Sequence, residues 1–204
     1  VKRRSVAELS LVCATLFFAL SAIPANAYRL TYKEQLYRLY HRQFYAYPLR
    51  VAENIVYLEE ALKAPFANPL NALARVETER EYDKYRYLFN MQLNLLLIEE
   101  YLELARLYNK EEAYFFNYPW RRINIESLDR AESFLEFALG YWYEAIAWSD
   151  RAEQIRWINL EEIQHWEDQS FRIQNGDLDY ERIIEDHLER VEEVRSEFIR
   201  MGRQ

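Results

Sequence analysis

The sequence has 204 residues, with 34 acidic against 26 basic side chains, a formal charge of −8, three glycines and one cysteine. An acidic chain is a poor partner for nucleic acid, because phosphate binding draws on clustered Lys and Arg that displace counterions, and the same reasoning disfavours anionic lipid headgroups. One thiol makes neither a disulfide framework nor a thiolate metal site, so packing alone must hold the fold.

The chain opens VKRRSVAELSLVCATLFFALSAIPANA: basic Lys2, Arg3 and Arg4, an apolar run from about Leu9 to Ala22, then small residues ending in Ala25-Asn26-Ala27. That order is the pattern of a secretory signal peptide cleaved after Ala27. It predicts a periplasmic mature chain, residues 28–204, forming a single helical domain without a membrane span of its own. The apolar run is shorter than the ~20 residues a bilayer-spanning helix needs, which weighs against an uncleaved anchor. Cys13 lies inside the run without small residues just before it, a poor lipoprotein anchor, and leaves with the leader. The adjacent Arg3 and Arg4 raise twin-arginine export, but no cofactor site follows that would require it.

Downstream, few breakers separate long segments of helical period. Residues Thr31 to Tyr47 place Leu36, Leu39, Tyr40, Phe44 and Tyr47 on one face. Pro48 either kinks this helix or begins the next one, in which Val51, Ile55, Leu58 and Leu62 continue the period to Ala64. PFANP (Pro65 to Pro69) reads as a turn. A long helix follows, from Leu70 or Val76 to Asn109, charged in its first half and apolar around most of its circumference in the second. That gradient predicts a helix running from a solvated end into the middle of the domain.

Beyond Pro119, Asn124 is the expected N-cap of a helix reaching Ala152. INLEEIQHWEDQSFRI forms a further segment stopped by Asn175-Gly176. Asp179 caps a last amphipathic helix, within residues 178–204, on which Ile184, Leu188, Val191 and Phe198 step along one side. No segment alternates as a strand would. The fold class is therefore all-α, an antiparallel array of about five to seven helices, a bundle or α-solenoid.

Catalytic chemistry is hard to place in these residues. His41, His165 and His187 are isolated, and Glu162-x-x-His165 is one copy of a motif that di-metal bundles need twice, with two further glutamates. No nucleophile elbow and no glycine-rich phosphate loop is present. VETERE, the EE pairs and ERVEEVRSE read as solvated helix faces. The chain is expected to need no catalytic residue, metal or cofactor, although paired carboxylates whose separation is a tertiary property keep an enzyme open as an alternative.

Aromatic residues are in excess: 17 Tyr, 11 Phe and 5 Trp. A tyrosine hydroxyl must be hydrogen-bonded or wet, so many of these rings belong at rims and grooves, and Tyr and Trp commonly anchor protein contacts. Consecutive rings point around a helix and cannot all face one core. Tyr114, Phe115, Tyr118 and Trp120, with Tyr141, Trp142, Tyr143 and Trp148, are thus the first candidate protein interface. Leu188, Val191 and Phe198 on the last helix are the second, unless that helix simply packs in the bundle.

GYWYEAIAWSDRA (Gly140 to Ala152) resembles the turn and second helix of a tetratricopeptide repeat, LELARLY (Leu102 to Tyr108) is similar to a first helix, and AESFLEFAL (Ala131 to Leu139) to a second. With the leader and the Glu- and Arg-laced helices, the chain resembles tetratricopeptide-like proteins of the spirochaetal periplasmic flagellar collar. The resemblance implies a non-catalytic scaffold subunit binding neighbouring proteins of a large periplasmic or envelope assembly. The alternative is a monomeric periplasmic module that binds a peptide or apolar ligand in a pocket of Tyr114, Trp120 and Trp142.

Overall fold

A computed structural model describes residues 30–109 and 120–201. The leader-like segment and Tyr114, Phe115 and Tyr118 lie outside the described residues. Among those described, six α-helices and two short 3-10 turns are present and no strand: α1 (Lys33–Ala46), α2 (Val51–Lys63), α3 (Glu79–Arg106), α4 (Arg121–Glu153), α5 (Gln164–Gln174) and α6 (Tyr180–Met201). The all-α array is as the periodicity predicts, and no described helix is long and apolar enough to cross a membrane.

Helix starts follow local chemistry. At α3 the Thr78 hydroxyl accepts from the Glu81 amide at 3.2 Å while the Glu81 carboxylate accepts from the amides of Thr78 (2.8 Å) and Glu77 (2.7 Å). This capping box satisfies orphan amides of the first turn, so the helix begins at Glu79 rather than at Leu70 or Val76. Pro69 to Asn71 form a separate 3-10 turn instead, capped by Asn68. Asn124 is not the N-cap of α4; Trp120 holds that position and Asn124 lies in the first turn. Pro48 neither kinks α1 nor opens α2 but sits in the turn between them. The predicted stops hold: Asn175 caps α5, Gly176 takes φ +75°, and Asp179 accepts from the Arg182 amide at 3.2 Å at the start of α6.

α3 and α4 form the central antiparallel pair. The gradient along α3 is real, since Leu88 to Ile98 are all buried; α2, α4 and α5 pack around them, and α1 reaches them through Tyr37 on Phe89. α1 and α2 make an antiparallel hairpin whose open end is tied by the Lys33 ammonium, donating to the Ala61 carbonyl at 2.9 Å and to that of Leu62. α6 returns along α4, where Arg195 pairs with Asp129 at 3.2 Å and with Glu132. The hairpin turn that a tetratricopeptide reading places at Gly140 does not exist: residues 121–153 are one continuous helix.

Six of the tyrosines tie helices together. Tyrosine hydroxyls donate to glutamates on neighbouring helices, Tyr40 to Glu100 (3.0 Å), Tyr85 to Glu34 (3.3 Å), Tyr180 to Glu99 (3.1 Å), Tyr143 to Glu181 (2.7 Å), and Tyr101 and Tyr141 to the same oxygen of Glu59 (2.8 and 3.1 Å). A phenol buries its ring and still gives a charge-assisted hydrogen bond across the helix interface. Glu100 is consequently not on a solvated face but buried.

Candidate functional site

The sequence-predicted interface residues separate into three environments. Trp142 (3% exposed), Val191 and Phe198 are core, and Trp142 packs edge-on against Tyr180 at 5.7 Å. None of these three can be an exposed contact, and Trp142 cannot line an open pocket with Trp120. Tyr141 and Leu188 are half-buried and packed on the core, Tyr141 stacking with Tyr101 at 5.6 Å. Trp120 and Tyr143 are exposed. α6 packs as the last helix of the array, its stripe of Ile184, Val191, Val194 and Phe198 spent on the core.

Trp148 stands apart because it lines an open groove of about 380 Å³, with Phe66, Arg86, Tyr87, Asn90 and Arg151. Helical spacing builds it. Arg86, Tyr87 and Asn90 lie one turn apart on α3, Trp148 and Arg151 one turn apart on α4, and Phe66 enters from the loop after α2. The Tyr87 and Trp148 rings lie 6.0 Å apart at 30°. The Arg151 guanidinium lies 4.2 Å from the Trp148 ring centroid and Arg86 lies 5.1 Å from that of Tyr82. A cation held on a ring face is positioned at little entropic cost and keeps N–H groups to offer.

Two further details mark this groove as incomplete. Asn90 is 8% exposed, and its side-chain amide has no hydrogen-bond partner among the described residues, the bond from the Asn94 side chain at 2.8 Å going to the Asn90 backbone carbonyl. Arg151 has no carboxylate partner there either, whereas Arg86 is paired with Asp83 and leaves its buried Nε without an acceptor. Buried polar groups are ordinarily satisfied. Aromatic floor, unpaired guanidinium and idle amide together fit a ligand that is apolar with a carboxylate or carbonyl attached.

Residues 80–201, which span α3 to α6 and so most of this groove, match the domain family DUF8513, described as a domain of unknown function. The chain belongs to the DUF8513 family. No curated protein and no solved structure matches it. In this DUF8513 protein both walls of the groove fall inside the family domain, while Phe66 and the α1–α2 hairpin lie outside the matched residues.

Titration follows burial. Burial, then the Glu100 and Glu99 charges, push the Tyr40 phenol far up; burial and the shared Glu59 carboxylate raise Tyr141 to about 12. Glu99 and Glu100 are both raised by desolvation against the opposing effect of their tyrosine partners. Desolvation lowers Lys33 to about 8. Among the described residues no group of three or more His, Cys, Asp or Glu gathers as a metal site.

The sequence reading missed the strongest exposed features. Trp157 is 98% exposed, in a turn after α4, with φ +66°. Tyr45 and Leu49, at the α1–α2 turn, are 91% and 92% exposed. Phe44 and Tyr47, assigned to an apolar face, are exposed too, because α1 runs past the edge of the core. A count of acids along the chain finds this tip: between Gln35 and Ala52 there is none.

Proposed function

We propose that this protein is a non-catalytic, exported scaffold or adaptor that holds a partner protein in the groove between α3 and α4. The observation that carries the reading is the Tyr87–Trp148 floor beside Arg151, an aromatic surface flanked by a guanidinium that has no carboxylate partner among the described residues. Aromatic and Arg anchors of this kind dominate the energetics of protein contacts. A partner segment would lay an apolar side chain on the rings and direct a carboxylate or carbonyl to Arg151 and Asn90. The leader-like N-terminus supports a periplasmic location, and the resemblance to spirochaetal collar proteins makes the flagellar motor collar the assembly to which it would belong.

The test is affinity purification of the tagged protein from its own cell envelope, wild type against Arg151→Glu. Arg151 is exposed, so reversing its charge leaves the fold intact. We expect a defined set of motor or collar proteins with the wild type, and about tenfold less with the variant, as for loss of a hot-spot charge. Recovery of a bare monomer, or the same companions with both chains, refutes the reading. A groove of 380 Å³ also lies within the ~300–1,000 Å³ range of small-ligand sites. A monomer carrying a small carboxylate that the variant has lost would establish that second reading.

A further inference from the structure

The turn between α1 and α2 carries a different chemistry from the rest of this acidic molecule. Every residue from Phe44 to Arg50 is exposed, so Phe44, Tyr45, Tyr47 and Leu49 form an apolar cap on the closed end of the hairpin. Around it, residues 35–52 hold Arg38, Arg42 and Arg50 and no acid. Arg38 and Arg42 have no ion-pair partner among the described residues, and Arg50 lies over the Tyr47 ring at 4.6 Å and pairs with Glu53 at 3.2 Å. Glu100 on α3, the acid that Tyr40 of this helix bonds, is buried under Tyr40 and Asn54. The formal charge of −8 hides this local excess, because at physiological salt charges more than ~8 Å away are largely screened.

We propose that this tip docks on the surface of an anionic phospholipid bilayer, its aromatic and leucine side chains entering the interfacial layer and its arginines meeting the headgroups. Tyrosine sits well at that depth, with its ring among acyl chains and its hydroxyl among headgroups, and arginine stems lie along the apolar layer while the guanidinium stays wet. Part of the turn's backbone is already satisfied internally: the Tyr47 and Arg50 amides are bonded to the Gln43 and Tyr47 carbonyls at 2.7 and 3.1 Å, and Pro48 has no N–H to desolvate. The tip is a convex end, without the surrounding ring of contacts that shields a protein hot spot from water, and its charge is complementary to lipid phosphate. The tip lies outside the groove and outside residues 80–201, so this inference goes beyond the partner-binding reading and does not depend on it.

The test places an environment-sensitive nitrobenzoxadiazole label on the full chain at Ala46→Cys, with Cys13→Ser removing the native thiol, and at Asp177→Cys on the α5–α6 turn as a control. Vesicles of phosphatidylcholine mixed with phosphatidylglycerol are expected to brighten and blue-shift the label at position 46 only, and vesicles of phosphatidylcholine alone to leave it unchanged. Adding Arg38→Glu and Arg42→Glu, or Tyr45→Ser and Leu49→Ser, should weaken the response about tenfold or more, given ~1 kcal/mol per basic residue at such a surface. All four positions are exposed, so unchanged circular dichroism is the folding control. No response at position 46, an equal response to neutral vesicles, or an undiminished response in the variants overturns the proposal. The same holds if the variants lose an acidic envelope protein while the wild type ignores both vesicles. Arg151→Glu should bind vesicles as the wild type does, which separates failure of the groove from failure of the tip.

Discussion

Glu100 sits in the apolar half of α3, taking hydrogen bonds from Tyr40 at 3.0 Å and from the Asn54 amide at 3.4 Å, while Asn54 Oδ1 is left without a partner. Burial raises its pKa, so the folded state holds this proton more tightly than the unfolded chain does. Its contribution to stability is therefore fully present below the unfolded carboxylate range and is lost as pH rises through the raised folded value. Glu100→Gln keeps the shape and removes the charge, and its new N–H can reach Asn54 Oδ1 once that amide turns over. Thermal melts should show the variant more stable by ~1 kcal/mol at neutral pH, the direction seen when a buried charge is replaced without leaving a partner stranded. That gain should vanish near pH 4, and an advantage independent of pH would refute the electrostatic account. No sequence pattern distinguishes Glu100 from its neighbour Glu99, since burial depends on α1 and α2 closing over one side of α3.

At the scale of elements, α4 runs unbroken through Gly140, where an added Cβ would meet nothing within 4 Å. The glycine thus serves no close approach and no turn in this chain, and its backbone freedom is a cost to the helix. Gly140→Ala should stabilise the protein by about 0.5–1 kcal/mol, read as a rise in unfolding midpoint at constant m-value. A loss of stability instead would mean that the position bends or opens. Here the helical period, which predicts one helix through to Ala152, was the better guide than the repeat resemblance, because glycine ends a helix only where the following residues cannot continue the period, and Tyr141 to Ala152 continue it. The capping box at Thr78 was legible all along as Thr-x-x-Glu before an apolar run. It fixes the start of α3 more sharply than the charge gradient does.

For the molecule as a whole, the tyrosine and glutamate pairs bind α1, α2, α4 and α6 to one another and to α3, and they set its alkaline limit. Burial and neighbouring carboxylates raise the phenols of Tyr40, Tyr85, Tyr101, Tyr141 and Tyr180 above their ordinary value near 10. The unfolded chain loses those protons first, so stability is fully present below about pH 10 and falls as pH climbs beyond it. Lys33 acts in the opposite sense. Its amine is neutral in the fold above about 8 but charged in the unfolded chain up to 10.5, which adds stability across that window. Melting temperature should hold level or rise slightly from pH 8 to 10 and then drop steeply, with phenolate absorbance appearing together with loss of helix. Phenolate that forms well before unfolding would show that the rings are not sealed.

What the sequence determined by itself was local: an array of about five to seven helices, the approximate ends of most of them, and the solvated-to-buried course of α3, because period, prolines and caps act over a few residues. It also marked Trp148 and left aromatic surface as the theme. Tertiary structure decided which rings remain outside. Trp142 and Trp148 lie less than two turns apart on one helix, yet α6 closes over the first through Tyr180 while the second opens beside Tyr87. A helical period orders side chains around their own axis, and only the neighbours that arrive from elsewhere in the chain choose which of those directions meets water.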